Sequence, residues 1–468
     1  MMIKSTHWTG LLALTLVSAA GCREGSEGDD EIGDTETSTE GTDGTDTDTG
    51  SELAPTYWQD VAPIYFDNCV TCHSEGGIGP FVLDDYASAA TWAPAAASAV
   101  ESRQMPPWLV TSDGSCGDWA NSKALEQAEI DTILAWVAAD MPEGEPRDDL
   151  QVPEQPSLGG DAFEIVTPEF EPAPQGGVFA EFDEYRCFLF DPELEQDKFL
   201  TGYEVTPGNQ ALVHHVLTMP VDPDEVVDAE GTTNLQVIEA LDAESPDRLG
   251  WPCFGAAGDN VSVRGIPVTW APGQGLVDFP EGSGARIGAG DLLVTQIHYN
   301  MADPDVIGQT DSSMVRMRLE DSVEREGIFD LPDGLLETLF TGEPDSLPPG
   351  QTAYDYTWTL SVDDYLGWFG VSKLDLWGFF PHMHQFGVKE RVRVLDAEGN
   401  EVDCIGDVQA WDFGWQLYYF YEQPIVLEAG QTIEVTCTFD TTGVDEAIWP
   451  GWGTQNEMCL AGLYVIPG

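Results

Sequence analysis

From about residue 160 to its end, this 468-residue chain alternates apolar and polar side chains along short stretches. Examples are MVRMRLED (314–321), RVRVLD (391–396) and TIEVTCTFD (432–440). A period of two is that of half-buried β-strands, and turns rich in Gly, Pro, Asp and Asn separate the stretches. The pattern therefore predicts a mainly β fold with two tandem antiparallel β-sandwich domains, jelly-roll-like in kind.

A segment rich in Pro, Gly and acidic residues, 325–351, is the predicted boundary between the two sandwiches. Such a composition is typical of connecting segments rather than of strands or helices. We therefore predict one domain over residues 160–324 and a second over residues 352–468.

The N-terminus has the features of an export signal. Lys4 precedes the apolar run GLLALTLVSAA (10–20), which is too short to span a bilayer as a permanent helix. SAAGC (18–22) resembles a bacterial lipobox, which makes Cys22 the predicted lipidation site. Because Ala19 stands where a lipobox usually has Leu, cleavage without lipidation remains an alternative.

Residues 23–52 contain no aromatic side chain and one large aliphatic one, Ile32. Such a segment cannot bury enough surface to offset its ordering entropy. We predict a signal peptide over 1–22 and a disordered acidic linker over 23–54. The protein would be exported and lipid-anchored to a bacterial membrane on its periplasmic or cell-surface side, where cysteines meet oxidising conditions.

The charge of the chain is strongly acidic. It carries 84 acidic and 17 basic residues, a formal net charge of −67. Nucleic-acid binding requires Lys and Arg to displace the counterions of phosphates, so this composition argues against a nucleic-acid partner. The acids are spread along the whole chain, which indicates a solvated surface.

CVTCH (69–73) is the C-x-x-C-H pattern of haem attachment. Cys69 and Cys72 are spaced to add to the two vinyl groups of one haem, and His73 then lies under the iron. Apolar residues at helical spacing flank the motif on both sides, a layout that resembles a small class I cytochrome c. We predict such a domain over residues 55–150. A disulfide or half of a zinc site is the alternative, but the chain has no second CxxC.

The sixth ligand of the haem iron is expected to be a methionine, since no other histidine lies in this segment. RQMPPW (103–108) resembles the R-x-M-P-P-W loop of cytochrome domains in bacterial multidomain proteins, which favours Met105. Met141 is the alternative. Cys116 has no obvious partner.

Five further histidines form two close pairs and a single residue: His214 with His215, His298, and His382 with His384. Alternate residues of a strand point to the same face, so both rings of HMH (382–384) can reach one metal ion. Adjacent residues point to opposite faces, so the first pair needs a bend or bulge to share an ion. One buried histidine is usually a hydrogen-bonded core residue, whereas five in this arrangement favour metal sites.

Imidazole ligands do not distinguish zinc from copper, whereas a thioether ligand favours copper because sulfur is soft and suits Cu(I). The order of the histidine motifs resembles the copper type II, ascorbate-dependent monooxygenase family, which includes peptidylglycine α-hydroxylating monooxygenase and dopamine β-hydroxylase. The motifs that carry the resemblance are YRC (185–187), QIHY (296–299), HMH and EMC (457–459). WDFGWQ (411–416) is similar to W-D-F-x-W-Q of bacterial members, although by itself it is more typical of an aromatic strand.

The resemblance implies two copper ions, one per sandwich, that face each other across a solvent cleft. The electron-donating copper would be held by His214, His215 and His298, and the dioxygen-binding copper by His382, His384 and Met458. The resemblance also implies two disulfides, Cys187–Cys253 and Cys437–Cys459, of which the second would fix Met458 beside its metal. Cys404 is left over with Cys116.

The implied activity is copper-dependent hydroxylation of an activated C–H bond of a small organic substrate with O2. One oxygen atom enters the product and the other leaves as water, with two electrons supplied singly by ascorbate or another one-electron reductant. Our hypothesis is that the fused haem supplies them, in place of ascorbate or beside it; alternatively, it only collects electrons from a soluble redox partner protein, or it senses redox state. The alternative function is a copper- and haem-binding electron-transfer surface lipoprotein without substrate turnover.

Two positions depart from the peptide-amidating relatives. Those relatives have Arg two residues before H-x-H, where this chain has Phe380, and Tyr four residues after the copper Met, where it has Gly462. Tyr464 would face the same side of a strand as Gly462 and is a candidate substitute. The loss of the Arg argues against peptide amidation and favours an apolar or aromatic substrate.

Overall fold

A computed structural model describes residues 54–468 apart from 76, 78, 154–156, 160–161, 175–181, 254–255 and 342. The predicted signal peptide, the lipidation site Cys22 and all but the last residue of the predicted linker lie outside these residues. Residues 54–468 form one compact unit. Within the described part, none of the helices combines the length and the apolar character needed to cross a bilayer.

Most of the helical residues lie around the C-x-x-C-H motif. The α-helices are α1 Ala62–Asn68, α2 Tyr86–Glu101, α3 Gln127–Ala138, α4 Asn234–Ala243, α5 Gly334–Glu337 and α6 Val362–Phe369. A π-helical turn, Tyr57–Val61, leads into α1, and 3-10 turns cover Pro304–Val306 and Thr338–Phe340. The helices predicted before and after the motif are present, and Trp136 of α3 packs edge-on against Tyr65 of α1.

The remainder of the chain is built from strands. They are β1 Phe163–Val166, β2 Asp183–Phe190, β3 Lys198–Thr206, β4 Val213–Val221, β5 Trp251–Pro252, β6 Val268–Trp270, β7 Val277–Asp278, β8 Ser283–Ile287, β9 Leu292–Asn300, β10 Met314–Glu320, β11 Arg325–Glu326, β12 Ile328–Asp330, β13 Tyr354–Ser361, β14 Lys373–His382, β15 Gly387–Leu395, β16 Glu401–Val408, β17 Tyr419–Glu428, β18 Thr432–Phe439 and β19 Leu460–Pro467. All three stretches quoted for their alternation form strands, and the mainly β fold is confirmed.

The strands make four sheets, two in each half of the β region. In the first half the orders are β5-β2-β9-β4-β6 and β1-β10-β3-β8-β11, with β7 paired to β3. In the second half they are β12-β19-β14-β17 and β13-β18-β15-β16. One cluster of buried side chains draws on both sheets of the second half, for example Phe379 of β14 and Val435 of β18. The sandwich arrangement itself stays a prediction.

The chain passes from the first half to the second at Gly327. β11 pairs with β8, and β12, two residues further on, pairs with β19. A Cβ atom at Gly327 would lie 2.0 Å from the Tyr464 hydroxyl oxygen, so only glycine fits between the two strands. This crossing lies inside the segment 325–351 that the composition singled out.

The described residues include three disulfides: Cys187–Cys253, Cys437–Cys459 and Cys116–Cys404. The first two are the pairs implied by the family resemblance. The third joins two cysteines that sequence reasoning left without partners.

The Cys116–Cys404 disulfide ties residues 108–119, which we call the strap, to the second half of the β region. Val110 forms a bridge with Val408, and Trp119 forms a bridge with Tyr421 and stacks on it at 4.7 Å. The strap begins three residues after Met105, so a part of the predicted 55–150 domain pairs directly with strands β16 and β17.

Candidate metal centres

The first histidine cluster forms where β4 and β9 pair. His215 lies opposite His298, and the register of the two strands shifts between Val213 and His215. An irregularity of this kind is what an adjacent histidine pair needs if both rings are to share one ion. Ligand atoms of His214, His215 and His298 lie within 4.8 Å of one another.

Hydrogen bonds leave nitrogen lone pairs directed into this cluster. The Asp183 carboxylate lies 3.1 Å from Nε2 of His298, so Nε2 carries the proton and Nδ1 is the lone-pair nitrogen. That Nδ1 is 3.3 Å from Nδ1 of His215, and Nδ1 of His214 is buried without a hydrogen-bond partner. A cation bound by the three rings would satisfy these nitrogens.

The electrostatics of the first cluster keep the rings of His214 and His215 neutral. Both residues are half-buried overall, and burial of the rings lowers their pKa values well below the usual range. Nearby imidazoles, above all that of His298, lower both pKa values further. Neutral imidazole is the form that binds metals.

The second cluster lies at the end of β14. His382 is the last residue of the strand, and His384 follows just beyond it with its ring 5.1 Å from that of His382. Nδ1 of His382 is 2.8 Å from the Gln416 side-chain oxygen, and Nδ1 of His384 is 3.0 Å from the carbonyl oxygen of Asn456. Both Nε2 atoms are therefore the lone-pair nitrogens. Burial lowers the pKa of His382 to about 4 and that of His384 to about 3.

Met458 is joined to this cluster through the buried carboxyl group of Glu457. That group accepts backbone N–H groups from His384 at 2.8 Å, Phe386 at 2.7 Å and Met458 at 3.2 Å. Burial raises the pKa of Glu457 to about 8, although these three N–H donors oppose the shift. Glu457 and Gln416 lie within the motifs EMC and WDFGWQ, but the sequence alone assigns neither side chain a role.

The WDFGWQ stretch is a loop between β16 and β17, so the interpretation of it as a strand is wrong. Its Trp411 indole N–H donates to the carbonyl of His384 at 3.1 Å. The ring of Phe413 lies 4.6 Å from that of His214 and 5.9 Å from that of His384. One aromatic side chain thus touches both histidine clusters.

The positions that depart from the amidating relatives lie beside His382. Phe380 is stacked on Tyr418 at 4.9 Å and lies parallel to the His382 ring at 6.0 Å. The hydroxyl of Tyr418 is buried without a partner. The hydroxyl of Tyr464 donates to Ser283 at 3.0 Å, so it is occupied within the packing of the first half.

The C-x-x-C-H segment has a histidine oriented by its backbone. Among the described cysteines, Cys69 and Cys72 are those outside a disulfide. Nδ1 of His73 lies 3.0 Å from the carbonyl oxygen of Phe81, which leaves Nε2 as the available nitrogen. A Cβ atom at Gly79 would come within 2.5 Å of the His73 ring, so the loop closes tightly against that ring.

Both candidate sixth ligands of the haem lie in this part of the chain. Met105 is half-buried and follows the C-terminal end of α2. Met141 packs against the core of the helical segment, and its carbonyl accepts the Tyr86 hydroxyl at 2.9 Å. The choice between them stays a prediction.

Comparison with known proteins bears on the C-terminal half most directly. Residues 334–466 match the family model for the copper type II ascorbate-dependent monooxygenase, C-terminal domain. These residues include His382, His384 and Met458. The match supports the copper type II ascorbate-dependent monooxygenase family.

Curated relatives match over a larger share of the chain. Human dopamine beta-hydroxylase is 26% identical over 324 residues, which cover 67% of this chain and 48% of the human protein. The dog dopamine beta-hydroxylase is 24% identical over 60% of this chain and 43% of its own length. Tyramine beta-hydroxylase of Caenorhabditis briggsae is 24% identical over 56% of this chain and 41% of its own length. The chain spans about half the length of the curated relatives it matches.

Likeness to solved structures is low. The VP2 subviral particle of infectious bursal disease virus gives a TM-score of 0.17 at 10% identity, over 67% of this chain and 74% of that chain. A similarity of this size supports no inference about fold or function.

Proposed function

We propose that this protein is a copper-dependent monooxygenase that hydroxylates an activated C–H bond of a small organic substrate with O2. The observation that carries the proposal is the pair of histidine clusters, in which hydrogen bonds occupy one ring nitrogen of His298, His382 and His384 and leave the other nitrogen of each available to a metal. The balanced reaction converts R–H, O2, two electrons and two protons into R–OH and water.

The donor sets of the two clusters fit copper. His214, His215 and His298 would hold one ion, and His382, His384 and Met458 would hold the other. When bound, copper would supply one-electron redox chemistry and O2 activation, and the Met458 thioether favours the Cu(I) state. The buried hydrogen bonds of Asp183 and Gln416 fix which ring nitrogen faces each ion.

The side chains beside His382 favour an apolar or aromatic substrate. Phe380 and Tyr418 form a stacked aromatic pair where the amidating relatives have a positive charge. An aromatic wall of this kind packs well against a flat apolar ring, whereas it leaves a carboxylate without a counter-charge. Peptide amidation is therefore the less suitable activity for this chain.

We also propose that the helical segment is a c-type cytochrome domain that serves the oxygenase as a one-electron donor, in place of ascorbate or beside it. Cys69, Cys72 and His73 would hold the haem, with Met105 or Met141 as the sixth ligand. The strap supports this assignment, because it fastens the segment to the same half of the chain that carries His382. Export and lipidation at Cys22 are part of the same proposal.

Oxygen uptake tests the activity. Purified protein is supplied with ascorbate and a panel of small aromatic compounds, with and without a copper chelator, and hydroxylated product is measured. Met458→Leu is expected to abolish product formation. The matched control is Met317→Leu, which alters a methionine of the same hydrophobic core and should keep product formation. Copper binding without an oxygen-dependent product in any arm would favour the electron-transfer lipoprotein instead.

Haem absorbance tests the electron donor. Reduced protein is mixed with O2 and substrate, once copper-loaded and once copper-free. The proposal expects fast haem oxidation in the copper-loaded sample and slow oxidation in the copper-free one. Equally slow oxidation in both samples contradicts the donor role.

A further inference from the structure

One loop of the second centre is fastened by residues of the first. Residues 449–458, which we call the Met458 loop, lie between strands β18 and β19 and end at Met458. Asp183 of β2 is fully buried, and one of its carboxylate oxygens lies 3.1 Å from Nε2 of His298. The other oxygen accepts the backbone N–H of Thr454, inside the Met458 loop, at 3.3 Å. A single carboxylate therefore binds a ligand of one centre and the loop of the other.

Tyr185 makes a second, independent connection. It lies two residues after Asp183 on the same strand, so both side chains point to one face of β2. Its ring stacks on His298 at 4.0 Å with an interplanar angle of 10°, and its hydroxyl donates to the carbonyl of Trp452 at 2.6 Å. Trp452 also belongs to the Met458 loop.

The C-terminal end of the Met458 loop contacts His384 of the second centre. The carbonyl of Asn456 lies 3.0 Å from Nδ1 of His384, and the Glu457 carboxyl group accepts the N–H groups of His384 and Met458. An unbroken series of direct contacts thus runs from His298 through Asp183 and the loop to His384.

We propose that Asp183 and Tyr185 are positioning residues that couple the two metal centres, so that the ligand geometry of the Met458 centre depends on the strand that orients His298. This inference rests on the proposed copper function. It assigns to β2 a role in the second centre, the one to which Met458 would contribute a ligand, although β2 contributes no ligand to that centre.

Substitution of Asp183 by asparagine disrupts one of its two hydrogen bonds, either the one to His298 or the one to the Thr454 amide. The carboxylate accepts hydrogen bonds with both oxygens, including a further one from the Asn300 side chain at 3.1 Å. Asparagine offers one oxygen and one NH2 group, so in Asp183→Asn either His298 or Thr454 faces a donor instead of an acceptor. If the NH2 group of the introduced asparagine faces His298, Nε2 of the imidazole must accept a hydrogen bond. The imidazole proton then sits on Nδ1, the nitrogen that would otherwise bind the metal.

Substitution of Tyr185 is directed at the connection to the loop. Tyr185→Phe keeps the stacked ring on His298 and removes the hydrogen bond to the Trp452 carbonyl. Asp311→Asn is the matched control, because Asp311 is also a buried carboxylate of the first half, bonded to Tyr299 and Ser313 and to neither centre. A loss of stability common to any buried Asp→Asn change appears in this control as well.

The experiment uses three readouts on the full chain. Copper per molecule is titrated, the sulfur contribution to X-ray absorption of the Cu(I) form reports ligation by Met458, and hydrogen exchange of the Thr454 amide is followed without metal. Asp183→Asn is expected to weaken copper binding at the first centre about 10- to 100-fold. It is also expected to reduce the sulfur contribution and to speed exchange of Thr454 by about tenfold or more.

The other variants define what overturns the proposal. Tyr185→Phe should keep two coppers and reduce the sulfur contribution, and Asp311→Asn should change none of the three readouts. If both variants of β2 leave the sulfur contribution and the Thr454 exchange as in the wild type, the coupling is wrong while the copper centres stand. If the wild type binds no copper, the proposed function and the coupling are both wrong.

Discussion

The Cys116–Cys404 disulfide should stabilise the protein more than either of the other two described bridges. Its cysteines are 288 residues apart, against 66 for Cys187–Cys253 and 22 for Cys437–Cys459. A crosslink removes more entropy from the unfolded chain as the closed loop lengthens, which gives about 5.7, 4.3 and 3.4 kcal/mol respectively. The Cys116→Ser/Cys404→Ser variant should therefore lose the most free energy of unfolding.

The measurement is equilibrium unfolding in guanidinium chloride followed by tryptophan fluorescence, on the wild type and on three paired Cys→Ser variants. The strap keeps its stack between Trp119 and Tyr421 and its bridge between Val110 and Val408, so the folded state should be little changed. The difference between the longest and the shortest loop should be about 2 kcal/mol. The reasoning is refuted if the 116–404 variant is as stable as the 437–459 variant, or more stable.

Further predictions concern single side chains around the second centre. Gln416→Leu removes the acceptor that fixes Nδ1 of His382 and should weaken copper binding at that centre by about 10- to 100-fold in a metal titration; Gln423→Leu, at an exposed position, is the control. Asp333 accepts the backbone N–H of Cys459, next to Met458, at 3.1 Å, and burial raises its pKa to about 7. Folding therefore favours its protonated form, and its contribution to stability is lost as the pH rises from about 4 through 7. In urea unfolding measured between about pH 4 and 7, Asp333→Asn should reduce the change in the free energy of unfolding by on the order of a few kcal/mol. An unchanged pH profile would contradict the raised pKa of Asp333.

The strands and the two histidine clusters could be predicted from the sequence because each leaves a local signal. Alternation of polar and apolar residues places strands directly, and adjacent histidines such as His214 and His215 require a bulge to act together. Helix α2 was not anticipated, because its sequence YASAATWAPAAASAVE is rich in small alanines and has little apolar periodicity. Alanine nonetheless has the highest intrinsic helix propensity.

The missed features depend on contacts between distant parts of the chain. The partner of Cys116 lies 288 residues away, and the link from Asp183 to the Met458 loop spans 271 residues. WDFGWQ has the composition of an aromatic strand, yet its side chains are used for contacts with His214, His382 and His384, and the backbone forms a loop. Local patterns carry no information about such pairings, because they are decided by how the sheets assemble.

Metal analysis of the purified wild-type chain tests the central claim most directly. Two histidine clusters, the second with Met458 as its proposed thioether ligand, together with one C-x-x-C-H motif, predict two copper ions and one iron per molecule. The loss of one copper in a variant with His382 and His384 replaced by alanine, with iron retained, would assign the second centre. A wild-type chain that binds zinc in place of copper, or less than one metal ion besides iron, would contradict the account.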